Sequence, residues 1–328
     1  MTIQIGVSTL TDLPRGMNPA RRMEQIVDLG AQADEAGLDV FGVGEHHSAD
    51  FLVSSPAPVL SAVAARTRNI RLTSAVTVLS VHDPVRVWQD FATVDLISGG
   101  RAEITVGRSA YPDPFALFGV DLSRYDKAFT ERLDLLLRLC DGDDTPWPGG
   151  HRPPLVPADV VPRPVQDPLP VWIGAGGSPG SALRAGAAGL PLILGYIGGS
   201  PDDLRRLADL YRAAGGTQVG LAVHFFAAAT EREARDTYTN YRDFLPFPVS
   251  AAAFDGGLRP GGHLFIGTSE QITEKLARLH DAVPFDRVQA LVDWGGLDAG
   301  AVRDSVYRLG AEVAPALRET GRRGTRLG

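Results

Sequence analysis

The chain has 328 residues, of which 44% are hydrophobic and 22% charged, and its formal net charge is −7. That acidic balance excludes nucleic acid or an anionic membrane surface as the main partner, because both demand a basic footprint. Cys140 is the only cysteine, so no intramolecular disulfide can form. No apolar run reaches the roughly eighteen residues a membrane span needs. The segment Met1–Gly16 lacks a basic stretch followed by a long apolar one, so a cytoplasmic location is expected.

Short β-branched runs alternate with amphipathic helices. Ile3–Ser8 reads as a strand, and Pro19–Ala36 as a helix with Met23, Ile26, Val27, Gly30 and Ala33 on one face. Val40–Val43 is a short buried strand, Pro58–Thr67 a small helix and Ile70–Leu79 a longer strand. Pro84–Ser98 is a helix with proline in its first turn and Gly99-Gly100 at its end. Glu103–Val106 is a strand. Ser123–Cys140 is a helix that Ser123 can cap, with Phe129, Leu133, Leu136, Leu137 and Cys140 as its apolar stripe, so Cys140 reads as a small core residue. Further strands fall at Val171–Ile173, Leu192–Leu194, Val219–Phe226 and Val288–Val292. Thr268-Ser-Glu-Gln271 has the form of a capping box. The last helix carries Val302, Val306, Leu309, Val313 and Leu317, and the polar tail Thr320–Gly328 is expected to fray.

This alternation predicts an α/β fold with a parallel sheet covered by helices. Eight units over 328 residues would average about 41 each, the size of a (β/α)8 barrel with insertions. A single barrel domain over residues 1–328 is therefore expected, with an open doubly wound sheet as the alternative. Asp141–Pro170 and Leu245–Gly262 are rich in proline, glycine or alanine and read as insertions, the second a candidate lid.

Three places carry candidate chemistry. Glu45-His46-His47 directly follows the strand Val40–Val43, and barrel active sites lie at the C-terminal ends of strands. Neighbouring strand residues point to opposite faces, so His46 and His47 are not expected to share a metal; His82, His151, His224, His263 and His280 are scattered and remain possible distant ligands. An acid–base role suits a histidine better there. Val171–Ser181 runs from a strand through Gly174, Gly176 and Gly177 into a helix that Ser178 can cap, and Gly195-Tyr196-Ile-Gly-Gly-Ser200 repeats the pattern after the next strand. Helix starts of this kind attract phosphate. The first loop is not a dinucleotide fingerprint, since Pro179 stands where a third glycine is needed after Gly174 and Gly176. Arg108, in Gly107–Tyr111, supplies a planar fork for a phosphate, and Tyr111 a face for an aromatic ring.

Taken together these runs resemble the bacterial luciferase-like family of flavin-dependent monooxygenases. The matching pieces are Gly44–His47, Ser74–Arg86, Asp95–Arg101, Val106–Tyr111 with Phe118–Asp121, and Gly189–Gly199, in order along most of residues 1–300. The resemblance implies a (β/α)8 barrel that takes FMN at its strand ends, reduced by a separate reductase. The flavin reacts with O2 to a C4a-peroxyflavin that oxidises a small organic substrate. It also implies a homodimer, His46 as the catalytic histidine, and Arg108 with Gly176, Gly177 and Ser178 as the phosphate site. It places a non-prolyl cis peptide at Ala75-Val76 beneath the ring. Gly107, Tyr111, Gly195 and Tyr196 are expected around the same cofactor. The chain departs from the luciferase catalytic subunit at Gly107, where that subunit has a reactive cysteine, and at Ala175-Gly176, where it has Glu-Ser. Light emission and aldehyde specificity are therefore not carried over. The alternatives are a deazaflavin (F420) hydride-transfer enzyme on the same fold, a non-catalytic flavin-binding paralogue, and a metal-dependent barrel hydrolase.

Overall fold

The computed structural model describes residues 2–109, 111–143, 146–150, 152–155 and 160–324, without the side chains of 320–324. His151 and the last four residues of the tail lie outside them. The strands are β1 (Gln4–Thr9), β2 (Val40–Val43), β3 (Arg71–Ser74), β4 (Thr77–Val78), β5 (Ala102–Gly107), β6 (Val171–Ala175), β7 (Leu192–Tyr196), β8 (Val219–Ala227), β9 (Phe265–Gly267) and β10 (Arg287–Leu291). The helices are α1 (Pro19–Glu35), α2 (Pro56–Ala64), α3 (Pro84–Ser98), α4 (Asp113–Leu117), α5 (Tyr125–Cys140), α6 (Pro179–Ala187), α7 (Pro201–Ala213), α8 (Glu231–Asp236), α9 (Tyr238–Phe244), α10 (Ala251–Leu258), α11 (Ser269–Ala282), α12 (Ala299–Arg308) and α13 (Ala314–Gly324).

Strand order is β10-β1-β2-β3-β5-β6-β7-β8, and β8 pairs back onto β10, so the sheet closes. Every strand pairing is parallel. This is the (β/α)8 barrel, and closure removes the doubly wound alternative. The register sets Ile5 opposite Val288 and Val288 opposite Leu221. One alternate set of residues, including Ile5, Val7, Phe41, Val43, Ile104, Val106, Ile173 and Leu194, is buried in the layer beneath the helices. The other set faces the barrel axis.

The two ends of that axis differ. At the N-terminal end Glu103 accepts from both Nη1 and Nη2 of Arg287, at 2.7 and 3.1 Å, and from Arg71. Arg287 stacks over Trp172 at 3.9 Å and donates to Gln4 at 2.9 Å. Burial works against the Glu103 charge, but Arg287 and Arg71 outweigh it and hold the carboxyl below its ordinary range. This plug closes the bottom. At the C-terminal end the axis-facing positions of β2, β5, β6 and β7 are Gly42, Gly107, Gly174 and Gly195, with Ala75 after β3, whereas β8 and β10 bring His224 and Leu291. The loops above β1 and β10 are tied by Arg22, which donates to Asp12 and Asp293 at 3.2 and 2.9 Å.

Several elements depart from expectation for physical reasons. The strand expected over Ile70–Leu79 is split into β3 and β4, because the Ala75–Val76 peptide is cis and turns the chain. Helix α2 starts at Pro56, not Pro58, because Ser55 is extended and proline fills the first helical position. Ser123 does not cap α5: its N–H and hydroxyl both bond to Asp121, which caps a short 3-10 turn at Leu122–Arg124. The insertion Leu245–Gly262 contains α10, whose Phe254 packs with Tyr241, Leu264 and Trp294. The last helix is interrupted by a π-turn at Leu309–Val313, and helix continues to Gly324 into the segment expected to fray. Cys140 is buried, and burial pushes its thiol up to about 12.

Candidate active site

Glu45 leaves the end of β2 and turns away from the axis. It is buried, and its Oε1 accepts from Nε2 of His47 at 2.8 Å and from Nε2 of His82 at 2.7 Å. Its Oε2 accepts from the Val78 backbone N–H at 3.1 Å. Burial raises the carboxyl, yet the bonds from His47 and His82 outweigh it and hold Glu45 below its ordinary range. Phe118 covers the pair, edge-on to both imidazoles at 5.2 Å. Glu45 and His47 are two residues apart and share a face, which is why they meet. His82 arrives from the loop before α3, a long-range contact that no local pattern announces.

The donor atoms of Glu45, His47 and His82 all lie within 4.8 Å of one another, so among the described residues this trio is the set that could hold a metal ion. Its nitrogen–oxygen separations of 2.7 and 2.8 Å are those of charge-assisted hydrogen bonds. His46 takes no part in it. The two histidines diverge, as expected from strand alternation.

His46 points to the mouth. Its ring stacks on Phe51 with centroids 3.9 Å apart and meets the edge of Tyr111 at 5.5 Å. Its Nε2 is shielded from solvent and has no hydrogen-bond partner. Burial pushes the imidazole down to about 4, so His46 is neutral near pH 7. A neutral ring with a free nitrogen can accept or deliver a proton.

Beside it three glycines lie against the side chains of Ser8, Ala75 and Val76. A Cβ on Gly42 would stand 2.5 Å from Ser8 Oγ and 3.1 Å from the Ala75 methyl; a Cβ on Gly107 or Gly174 would stand 2.4 or 2.6 Å from a Val76 methyl. The cis bond thus sets both Ala75 and Val76 toward the axis, and three glycines make room for them. Ser8 Oγ, like His46 Nε2, is buried without a partner. Buried polar atoms of this kind ask for a ligand.

The phosphate candidates lie together at the next strand ends. Gly176 and Gly177 have open space where a Cβ would be, and Gly177 has φ of +111°, which favours glycine. Ser178 caps α6 with its backbone, while its side chain makes no cap bond. Arg108 reaches Asp126 Oδ1 at 2.6 Å and the Tyr125 hydroxyl at 3.3 Å. Arg184, which sequence reasoning missed, reaches the same Oδ1 at 3.3 Å. It sits inside a helix where an arginine usually signals only a solvated face.

Gly195 faces the axis, with its absent Cβ 3.8 Å from Gly176 Cα. Tyr196 does not join it. The next residue on a strand turns the other way, and Tyr196 packs against Phe265 and lines a separate cavity with Lys275 and Leu279 of α11. The expectation that Tyr196 reaches the mouth is corrected on that ground. His224 was expected only as a scattered histidine. It lies buried on β8 beside Tyr241, Phe244 and Trp294, its Nδ1 bonded to the Tyr241 hydroxyl at 3.0 Å.

The fold is a closed parallel barrel with a neutral histidine, its Nε2 buried, at the end of β2 and two arginines sharing one aspartate beyond β5. The model of the luciferase-like monooxygenases matches residues 3–308, and the chain belongs to that family. It is 28% identical over 317 residues to the N-acetyl-S-alkylcysteine monooxygenase of Bacillus subtilis, covering 94% of this chain and 88% of that one. It is 32% identical over 201 residues to the 4-hydroxyprotoasukamycin monooxygenase of Streptomyces nodosus subsp. asukaensis, covering 58% of this chain and only 53% of that relative.

Among solved structures, the monooxygenase RslO1 from Streptomyces bottropensis superposes with a TM-score of 0.86 at 22% identity, covering 95% of this chain and 99% of that one. The oxygenating constituent of 3,6-diketocamphane monooxygenase from Pseudomonas putida, in complex with FMN, gives 0.80 at 20%, covering 96% and 98%. The F420-dependent tetrahydromethanopterin reductase of Methanopyrus kandleri gives 0.74 at 18%, covering 97% and 100%. At these identities the superpositions establish the fold alone. No helix among the described residues is long and apolar enough to cross a membrane.

Proposed function

We propose that the chain is a flavin-dependent monooxygenase that uses reduced FMN and O2 to oxidise a small organic substrate at the barrel mouth. The observation that carries this reading is the buried, unpartnered Nε2 of His46 at the end of β2 in a barrel of this family. Arg108 and the loop Gly176, Gly177 and Ser178 hold the phosphate. Ala75, Val76, Gly107 and Gly195 would line the ring. Tyr111 flanks His46 and closes the aromatic side of the pocket.

When bound, reduced FMN supplies the electrons with which O2 is reduced. The protein's own part is to orient and to move a proton. Phe51 fixes the His46 ring plane by stacking, and the apolar surroundings keep the imidazole neutral. His46 Nε2 then exchanges a proton with the reacting substrate. Glu45, clamped by His47 and His82, fixes the strand end from which His46 projects. The named activities of the bacterial relatives support oxygenation. The description of the camphane enzyme as an oxygenating constituent supports a separate reductase. Family resemblance supports a single-domain chain acting as a cytoplasmic homodimer.

F420 is the second reading of the cofactor, supported by the likeness to an F420-dependent reductase. Titration of the purified protein with FMN, reduced FMN and reduced F420 separates the two. Tight binding of the FMN forms with weak F420 binding is expected. Tight F420 binding alone would move the chemistry to hydride transfer, and binding of none would overturn the reading.

A further inference from the structure

We infer that Arg184 is a second cation of the phosphate end of this site and that Asp126 is its internal competitor, a carboxylate that a phosphate monoester displaces. This rests on the reading of the barrel mouth as a flavin site. Asp126 Oδ1 accepts from Arg108 at 2.6 Å and from Arg184 at 3.3 Å, so one oxygen joins two guanidinium groups, one just past the end of β5 and one inside α6. The side chains differ sharply in shelter: Arg108 and Arg184 are 18% and 23% exposed, Asp126 56%. Ion pairs with so open a carboxylate are weak and easily exchanged.

The arginines, by contrast, are held. Arg108 stacks over Tyr125 at 5.3 Å, and Arg184 over Phe129 at 5.4 Å. Those rings are four residues apart, on one face of α5. Slight burial works against the Asp126 charge, but Arg108 and then Arg184 outweigh it and hold the carboxyl below its usual range. Arg184 has a further unmade bond, because its Nη1 is buried without a partner. With Asp126 in place the cluster carries a net charge of about +1, and with Asp126 swung into water about +2. A dianionic phosphate monoester matches the second state. Arg108 and Arg184 would hold it with two planar forks, and the start of α6 at Gly176, Gly177 and Ser178 would add backbone N–H groups. A flavin without a phosphate gains nothing from the exchange.

The test is a fluorescence titration of FMN and of riboflavin against the full chain and its variants. The parent is expected to prefer FMN. Arg184→Gln should weaken FMN binding about tenfold or more, the effect of one lost charge-assisted bond, and leave riboflavin unchanged. Arg184→Lys, which keeps the charge and loses the fork, should fall between. Asp126→Asn should tighten FMN several-fold, while Asp134→Asn, the same charge change elsewhere on α5, should not alter the FMN-to-riboflavin ratio. An unchanged ratio in both Arg184→Gln and Asp126→Asn, with the ratio lost in Arg108→Ala, overturns this inference and leaves the flavin site standing. Equal binding of FMN and riboflavin by the parent overturns the phosphate site itself and the inference with it.

Discussion

The Cβ that Gly107 lacks would stand 2.4 Å from Cγ2 of Val76, inside any allowed contact. Val76 thus fills the space beside the mouth that a side chain on residue 107 would need. Gly107→Ala is expected to destabilise the fold by about 1–3 kcal/mol, the usual range for overpacking a rigid site. Val76→Ala in the same chain should recover more than half of that loss. Denaturant midpoints of the two variants and the parent check it, and an undiminished midpoint in Gly107→Ala would show that the wall yields.

Glu45 accepts three bonds, two from imidazoles and one from the Val78 N–H. A glutamine keeps one acceptor oxygen and turns its NH2 toward another donor. Glu45→Gln should cost about 1–3 kcal/mol. The sign of its pH effect follows from the depressed carboxyl: the stabilisation is present above the unfolded pKa and is lost as pH falls through the folded one. Acid titration of stability should therefore be shallower in Glu45→Gln than in the parent. Identical acid profiles would separate Glu45 from the stability of the strand end.

His224 is pushed down to about 3 by burial, with His263 adding to the effect. Below its ordinary value of 6.5 the unfolded chain takes a proton that the folded chain refuses. The stability His224 leaves intact above that value is lost progressively as pH falls toward 3. Between pH 7 and 5 this amounts to about 2 kcal/mol. Asp12, raised to about 6 by burial and Asp293, pulls the other way, gaining stability as pH falls through that value. The comparison is therefore between parent and His224→Asn: the variant should lose less stability over the same interval. A parallel loss would mean His224 takes its proton in the fold.

Cys140 is 8% exposed and its thiol is raised to about 12. The folded protein should react with less than one equivalent of a thiol reagent at neutral pH and with one on denaturation. Rapid labelling of the native chain would contradict the packing of α5 against α3.

The barrel was legible because strands alternate with helices and because local signals sit where physics puts them. Thr268 and Gln271 form the reciprocal cap their spacing announces. Local signals put Glu45-His46-His47, Arg108 and the glycine run before α6 at strand ends, where they lie after β2, β5 and β6. What escaped was long-range. The contact from His82 to Glu45 crosses 37 residues and follows no period. Arg184 meets Arg108 only through Asp126, on a third element. Tyr196 was placed in the pocket by its proximity to Gly195, though strand alternation sends it to the opposite face. The strand break at Ala75–Val76 was visible only through family resemblance, since the residues themselves read as continuous strand.

The most direct measurement is rapid mixing of the protein and reduced FMN with oxygenated buffer, followed by flavin absorbance. Flavin oxidation should differ from that of free reduced FMN, passing through a protein-dependent lag. Arg108→Ala should lose the lag by losing the flavin, and His46→Ala should retain flavin affinity while losing turnover once a substrate is found. An oxidation trace indistinguishable from that of free flavin, at protein concentrations well above that of FMN, would contradict the proposed function.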